Sequence, residues 1–444
     1  MQPDLLNLSG YKLVSVQSTE HDYHIKAETF IAPAICIHCQ SGSIVGFGRR
    51  EQMVRDLPSH GRRVGLYINT RRFQCKGCGK TFYEPLPEID EKRLMTSRLA
   101  SWMGKQAIKR TFASIADEVG CTEYTVRAVF NDFINQLQAT VRFETPKWMG
   151  IDEIHLINPR GVISNIENNT IVELLPNRNK ETIIKYLSAL DGKSAIQYVA
   201  MDMWQPYRDA VEMVLPQAKV IIDKFHVVKM ANEAMERIRK SFRESLTPKA
   251  RRGLMHDRFV LLKREHALSD QEALTLTGWI SNYPDLGTAY RLKEEFFKIY
   301  DHKTRNDALA AFAAWDASVT PDVRWAFHDL IRAWRNWQPY ILNYFDHPVT
   351  NAYTESLNNL IRVMNRLGRG YSFEALRAKI LFAEGAFKKQ IVKPKFTRRR
   401  DEEVCLGMAS FELLTARQHD EREKVLNYGP EISTLARMID EGLI

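Results

Sequence analysis

The spacing of apolar and polar positions divides most of the chain into four stretches. Strands and turns run to about Pro87, helical periodicity from Asp90 to about Val141, a mixed pattern from Trp148 to His226, and helix from there to about Phe345. The mixed stretch is the most informative. WMGIDEIHLI is an apolar strand pattern, and GVIS and TIVELL follow as two short runs separated by polar turns, which fits a meander. ETIIKYLSAL then has helical spacing, IQYVAMDMW reads as a strand, PYRDAVEMVL as a helix and KVIIDKFHVV as a strand. Three meandering strands followed by helix, strand, helix, strand predict a sheet that ends in parallel crossover units.

Three of these strands carry an aspartate. Asp152 intrudes where a merely structural strand would hold another Val or Leu, and the later two strands end on Asp202 and Asp223. Acids gathered at one end of a sheet repel one another unless a cation lies between them, which points to a divalent-metal site. For any one such Asp, a helix N-cap or turn role is the commoner one. Asp223 fits that role best, because FHVVKMANEAMERI begins directly after it, and Asp152 fits it worst. The element order looks like the ribonuclease-H-like fold. That fold would set the first and fourth strands side by side, bring Asp152 and Asp202 together and place Asp223 one strand further out. Glu153 should face away from Asp152 by the two-residue strand period.

Of the six cysteines, four come as two pairs. Cys36-Ile-His-Cys39 and Cys75-Lys-Gly-Cys78, facing each other across a hairpin-like insert, have the form of a zinc ribbon, in which four thiolates close one structural site. The gap between the pairs is longer than usual; Gly77 and Gly79 supply the tight turn. Around this module lie Arg49, Arg50, Arg55, Arg62, Arg63, Arg71, Arg72, Lys76 and Lys80, with Phe73, Phe82 and Tyr83 between them. A charge run is usually a solvated face, but basic side chains interleaved with aromatics on a zinc module favour nucleic acid. Cys121 and Cys405 read as ordinary buried cysteines.

In TFASIADEVGCTEYTVRAVFNDFINQL, Ile115, Ala116 and Val119 form one apolar face, Gly120 breaks the helix, and Thr122 caps a second helix with Val126, Val129 and Phe130 inward. Helix, Gly-containing turn, helix is the helix-turn-helix signature. Its second helix would expose Glu123, Tyr124, Arg127 and Asn131 to bases or phosphates. Beyond His226 an all-helical insertion is expected, with its Trp residues in the core. Further on, Asn351, Glu355, Asn358 and Arg362 recur at steps of four, three and four, so they share one polar stripe opposite Leu357, Leu360, Ile361 and Met364. An acid flanked by amides and an arginine suits a metal and a phosphate, and an exposed amphipathic helix would show the same pattern.

Composition refines this picture only slightly. The 444 residues allow two to four domains by the rough guide of one per ~100–200 residues. The formal net charge of +9 leans toward an anionic partner and is persuasive only where it clusters. No apolar run approaches the ~20 residues of a membrane span, and MQPDLLNLSGYKL is no signal peptide, so a cytosolic protein with no membrane partner is expected. The basic run PKFTRRR after Lys393 opens a tail to which no chemistry is assigned.

Taken together, CIHC and CKGC, the strand MGIDE, MDMWQPY, DKFHV, and NAYTESLNNLIRVMNR followed by GRGYSF resemble insertion-sequence DDE transposases of the ISL-three type over nearly the full chain. The resemblance implies a multidomain α+β protein. Residues 1–88 would be a zinc-ribbon DNA-binding domain, 89–144 a helix-turn-helix domain, and 145–229 the first part of a ribonuclease-H-like catalytic domain. Residues 230–345 would be a helical insertion, 346–392 the last part of the catalytic domain with the Glu355 helix, and 393–444 a C-terminal tail. It implies a catalytic triad of Asp152, Asp202 and Glu355 holding two magnesium or manganese ions, with Asp223 as the alternative second acid. DKFH also resembles the Asp-x-x-His motif of Mutator-like transposases, which puts Asp223 and His226 beside the site in support, with Asn351, Asn358 and Arg362. Where many relatives have Gly after the Glu, this chain has Ser356. Zinc would sit on Cys36, Cys39, Cys75 and Cys78. Arg49, Arg50, Arg62, Arg63, Arg71, Arg72, Lys76, Tyr124 and Arg127 would meet double-stranded DNA, at the element's terminal repeats and at the target. The expected activity is cleavage and strand transfer by a homodimer or larger assembly on bacterial nucleoid DNA. A zinc-dependent regulator or an inactive domesticated descendant is the alternative.

Overall fold

A computed structural model of the chain describes residues 7–388. These form two compact units. One comprises described residues up to Phe143 together with Val363–Phe387, the other Glu144–Arg362 and Lys388. The expected last catalytic piece, 346–392, is therefore divided, and the expected 393–444 tail, with PKFTRRR and Cys405, lies outside the described residues.

The first unit is built on a long hairpin. β3 (Ile44–Ser59) and β4 (Arg62–Cys75) pair antiparallel, turning at His60 and Gly61, both with positive φ. Along β4 every second residue, Val64, Leu66, Ile68 and Thr70, is buried, the period expected of a strand with one covered face. β1 (Tyr11–Ser18) and β2 (Asp22–Thr29) extend the sheet on one side, and β6 (Ile89–Asp90) and β7 (Met95–Thr96) on the other. β5 (Thr81–Tyr83) pairs with the far end of β4.

Helices α1 (Ser97–Lys109), α2 (Phe112–Val119) and α3 (Glu123–Thr140) follow, each started by a threonine hydroxyl, from Thr96, Thr111 and Thr122, that accepts a backbone N–H. Gly120 ends α2 with φ +74°, a left-handed conformation that favours glycine. The helix-turn-helix thus forms where its pattern put it, with Ile115, Ala116, Val119, Val126, Val129 and Phe130 all buried. Its core is completed from far along the chain, because α14 (Phe373–Leu381) contributes Ala375, Ala378 and the adjoining Phe382. Buried Lys379 donates to the carbonyls of Ala107 and Arg110 at the end of α1, with its ammonium 4.5 Å from the Phe112 ring centroid. Its N–H donors satisfy two helix-terminal carbonyls, while burial lowers the Lys379 pKa to about 7.

In the second unit β8 (Trp148–His155), β9 (Pro159–Asn165) and β10 (Thr170–Leu174) form the antiparallel meander. After α4 (Lys180–Ser188), β11 (Tyr198–Met201) lies parallel to β8; after α5 (Gln205–Val214), β12 (Lys219–Ile222) lies parallel to β11. The order β10-β9-β8-β11-β12 is the ribonuclease-H-like arrangement expected, with first and fourth strands adjacent. α6 (Lys224–Ser241) leaves the sheet, and α7 (Pro248–His256), α8 (Arg258–Leu262), α9 (Asp270–Asn282), α10 (Pro284–Ile299), α11 (Arg305–Ser318) and α12 (Pro321–Asp346) make the helical region. This region shares one continuous core with the sheet: α12 packs against α6 and β12, and Asn343 donates to the Val220 carbonyl at 2.8 Å. Trp315, Trp334 and Trp337 are core residues, and Trp334 stacks on Phe312 with centroids 4.4 Å apart; Trp325 is exposed. α13 (Ala352–Leu367) closes the unit, and the division between units falls after Arg362, inside this helix.

Candidate active site

The acids come to the site from separate elements. Asp152 sits within β8, Asp202 directly after β11, Asp223 directly after β12, and Glu355 in the first turn of α13. Parallel strands that end together bring Asp202 and Asp223 to one edge of the sheet. Asp223 also caps α6, its Oδ1 accepting the Phe225 N–H at 3.4 Å, so the bland role holds alongside any other. Ligand atoms of Asp223, His226 and Glu355 lie within 4.8 Å of one another, and His226 Nε2 stands 3.6 Å from Glu355 Oε1. Asp152 Oδ2 accepts from Asn358 Nδ2 at 2.8 Å and its Oδ1 from the Glu153 N–H at 2.8 Å. Glu153 itself pairs with Arg178 and His155. Asn351 is fully buried and donates to the Ile151 carbonyl, whereas Arg362 donates to Asn359 on its own helix.

Glycine lets α13 come this close. A Cβ on Gly150 would lie 2.3 Å from Asn351 Oδ1, 2.4 Å from Ser164 Oγ and 2.6 Å from Thr354 Oγ1. Those three side chains are buried and bonded, Ser164 to Thr354 at 2.6 Å and Thr354 to Asn351. This seats the helix start on β8 and carries Glu355, one residue on, to its place. Sequence reasoning named Asn351 for the site and missed Gly150, Ser164 and Thr354. A glycine in a strand, two residues before an intruding acid, was the available signal of close backbone approach.

The electrostatics are those of carboxylates held together against their preference. Burial, reinforced by Asp202, Asp223 and Glu153, pushes Asp152 up to about 7. Burial, with Asp223 and Asp152, pushes Glu355 up to about 8. Asp202 rises to about 6 through burial and Glu153, against the pull of Arg178. Burial raises Asp223 as well, opposed by His226, and the same burial lowers His226. Three buried oxygens, Asp202 Oδ1, Asp223 Oδ2 and Asn358 Oδ1, have no hydrogen-bond partner among the described residues. Unbonded buried oxygens among mutually repelling acids form a hard, oxygen-rich donor set, with one imidazole, that fits divalent cations of the magnesium or manganese kind.

In the first unit Cys36, Cys39, Cys75 and Cys78 converge with their sulfurs within 4.8 Å of one another, as a structural zinc site requires. Gly79 makes its turn with φ +72°, and Gly77 has little space, its Cβ position 3.2 Å from Ser41 Oγ. The basic residues divide into two groups. Arg63 forks onto Asp22 at 2.7 and 2.9 Å, and Arg71 binds Glu84, whose side chain is 1% exposed. Arg49 pairs with Glu28 at 3.1 Å, and Arg55 donates to the Gly120 carbonyl. By contrast Arg50 and Arg72 lie over the Tyr83 ring, Arg72 also over Phe47, Arg62 lies over Tyr23, and Lys76 is exposed. On α3, Tyr124 is 80% exposed, and Arg127 is exposed with its guanidinium over Phe112.

A ribonuclease-H-like sheet with acids at its strand ends, joined in one chain to a four-cysteine ribbon and a helix-turn-helix, is the make-up of a DNA-mobilising protein. Residues 149–380 match a family described as Transposase, of the ISL3 type. Residues 32–78 match the zinc-finger of transposase IS204/IS1001/IS1096/IS1165, and 84–134 the helix-turn-helix domain of transposase family ISL3. The chain belongs to the ISL3 family of insertion-sequence transposases, with the helix-turn-helix as a DNA-binding module. It is similar to the transposase for insertion sequence element IS1001 of Bordetella parapertussis, 27% identical over 331 residues, covering 72% of this chain and 80% of that one. It is also similar to the transposase for insertion sequence element IS1557 of Mycobacterium tuberculosis (strain CDC 1551 / Oshkosh), 25% identical over 260 residues, 52% of this chain and 58% of that one. Among the described residues no helix is long and apolar enough to cross a membrane.

Proposed function

We propose that this transposase cuts the ends of its element and joins them to target DNA by metal-dependent phosphodiester chemistry at Asp152, Asp202 and Glu355, with Asp223 and His226 completing the Glu355 side. The observation that supports this reading is the gathering of Asp223, His226 and Glu355 ligand atoms within 4.8 Å, beside buried Asp152 and half-buried Asp202, with unbonded oxygens on Asp202 and Asp223 and raised carboxyl pKa values. A regulator that only binds DNA has no need of such an arrangement. When bound, two divalent ions supply Lewis-acid activation of water, and later of a 3′-hydroxyl, and stabilise the leaving oxygen.

The chain's own residues do the rest. Asp152, Asp202 and Glu355 present ligand oxygens, and Asn358 keeps one Asp152 oxygen aimed by its 2.8 Å bond. Burial lowers the His226 pKa against the pull of Asp223, and its unbonded Nε2 stands 3.6 Å from Glu355 Oε1, where it can act as a ligand or hydrogen-bonding group. Arg50, Arg72, Lys76, Tyr124 and Arg127 bind DNA. One zinc ion holds the ribbon. Pairing two element ends calls for a homodimer or larger assembly, acting in the bacterial cytoplasm on nucleoid DNA.

The test is cleavage of labelled duplexes carrying the terminal sequences that flank the coding region, with magnesium or manganese. Asp152→Asn, Asp202→Asn and Glu355→Gln should each cost roughly 10²- to 10³-fold or more in rate while DNA binding survives. Loss at Asp223→Asn with activity kept at Asp202→Asn would move the second ligand one strand over. Binding with no cleavage by the intact chain under any divalent ion would sink the catalytic reading.

A further inference from the structure

Where α4 and α5 begin, an open cleft of about 450 Å³ has no role in the reaction as described. That size falls within the roughly 300–1,000 Å³ typical of ligand pockets. Its lining sets two cations, Arg178 and Lys180, against two anions, Glu181 and Asp209. Lys180 already pairs with Asp209 at 3.2 Å, and Arg178 with Glu153. The cleft therefore lacks the net positive charge that would hold a phosphate.

It offers an aromatic surface instead. Trp204 follows Asp202 by two residues and starts α5, yet 38% of its surface stays exposed. The Arg178 guanidinium lies over the indole, 4.9 Å from its centroid, and the Arg178–Glu153 ion pair ties this stack to the residue beside Asp152. Gln205 adds an amide that both donates and accepts hydrogen bonds. An uncharged planar group with a polar edge suits such a lining, and next to acids that cut DNA that group is a nucleobase.

We propose that this cleft receives one unpaired base of the DNA strand next to the cleaved phosphodiester, stacked on Trp204 and bordered by Arg178 and Gln205. Unpairing a base beside the scissile bond sacrifices stacking, and an aromatic platform restores it while bringing the backbone to the acids. The inference rests on the catalytic reading above, since the neighbouring acids are what make DNA the occupant.

The test uses the full chain and end duplexes with 5-iodouracil at successive positions around the cleavage junction, irradiated with calcium in place of magnesium. One position should crosslink to the peptide bearing Trp204, and the crosslink should vanish in Trp204→Ala. In single-turnover cleavage Trp204→Ala should be about 10- to 100-fold slower on paired ends, and Trp204→Phe should keep most of the rate. Leaving that nucleotide without a pairing partner should shrink the Trp204→Ala defect to about threefold or less, because the unpairing is already done. An equal defect on both substrates, with a lowered melting temperature, would make Trp204 a packing residue and overturn the proposal. No Trp204 crosslink at any position from an intact chain that cleaves would also overturn it. Failure of the catalytic reading shows separately, as absent cleavage with the crosslink still scored on bound DNA.

Discussion

The N-terminal sheet and the acid cluster of the second unit handle charge in opposite ways. In the N-terminal sheet the buried acids have partners: Glu84 holds Arg71 and Thr29, and Asp56 holds Thr96 and Arg98. In the ribonuclease-H-like unit Asp152, Asp202, Asp223 and Glu355 face one another, and no arginine or lysine forms an ion pair with any of the four among the described residues. Paired charges hold architecture together, and their removal is felt as stability. Acids left facing each other cost stability in the absence of a ligand, and their removal is felt as function.

The largest way to break this contrast lies at the one place where the first unit also gathers like groups, its four cysteines. Structural zinc sites are worth roughly 10–16 kcal/mol of apparent binding free energy, far more than the small core of Cys36, Cys75 and Phe82 can replace. Chelation or Cys75→Ser should therefore release one zinc per chain and open the ribbon, read by a colorimetric zinc assay alongside hydrogen exchange. A metal-free ribbon with unchanged protection would refute the assignment.

A smaller effect separates the arginines. Arg71→Ala strands a buried Glu84 and should destabilise by about 3 kcal/mol in urea unfolding. Arg72→Ala should leave stability nearly unchanged and reduce the salt dependence of DNA binding by about one unit of slope. The reverse pattern would mean that the two residues had been sorted wrongly.

Gly150→Ala comes next, because its methyl would collide with Asn351, Ser164 and Thr354. A loss of about 1–3 kcal/mol is expected, together with slower cleavage as Glu355 moves. Gly46→Ala, with nothing within 4 Å and an ordinary φ, should stay within about 0.5 kcal/mol.

The gentlest test is pH. Asp152 and Glu355 stand at about 7 and about 8 when folded, above their ordinary values of about 3.9 and 4.3. Their contribution to stability is complete below the ordinary values and is lost as pH rises through 7 and 8. Metal-free protein should melt a few degrees lower at high than at low pH across this window, roughly 2–4 °C per kcal/mol. Manganese should recover more of that loss at the upper end, and Asp152→Asn should flatten the profile. A flat profile in the intact, metal-free chain would show that the acids do not strain one another.

Legibility followed how local each constraint is. The cysteine pairs, the Thr caps and Gly120 act within a few residues, so the ribbon and helix-turn-helix could be read from spacing alone. The strand and helix periods, too, are local, and they gave the succession of elements in the second unit; the side-by-side order of its strands came from the likeness to the ribonuclease-H-like fold. Asp223 showed the limit of such reading. Capping role and site role look identical in sequence, and here one oxygen caps while the other is left unbonded among the acids.

What the sequence determined by itself was the list of elements and the kinds of chemistry each carried, because periodicity, capping and cysteine spacing are short-range. Tertiary structure decided the pairings across long separations. It chose which arginines were already committed, it seated α13 on Gly150, and it completed the helix-turn-helix core with α14 from more than two hundred residues away. Those outcomes depend on sterics and burial between distant segments, and no local pattern along the chain records them.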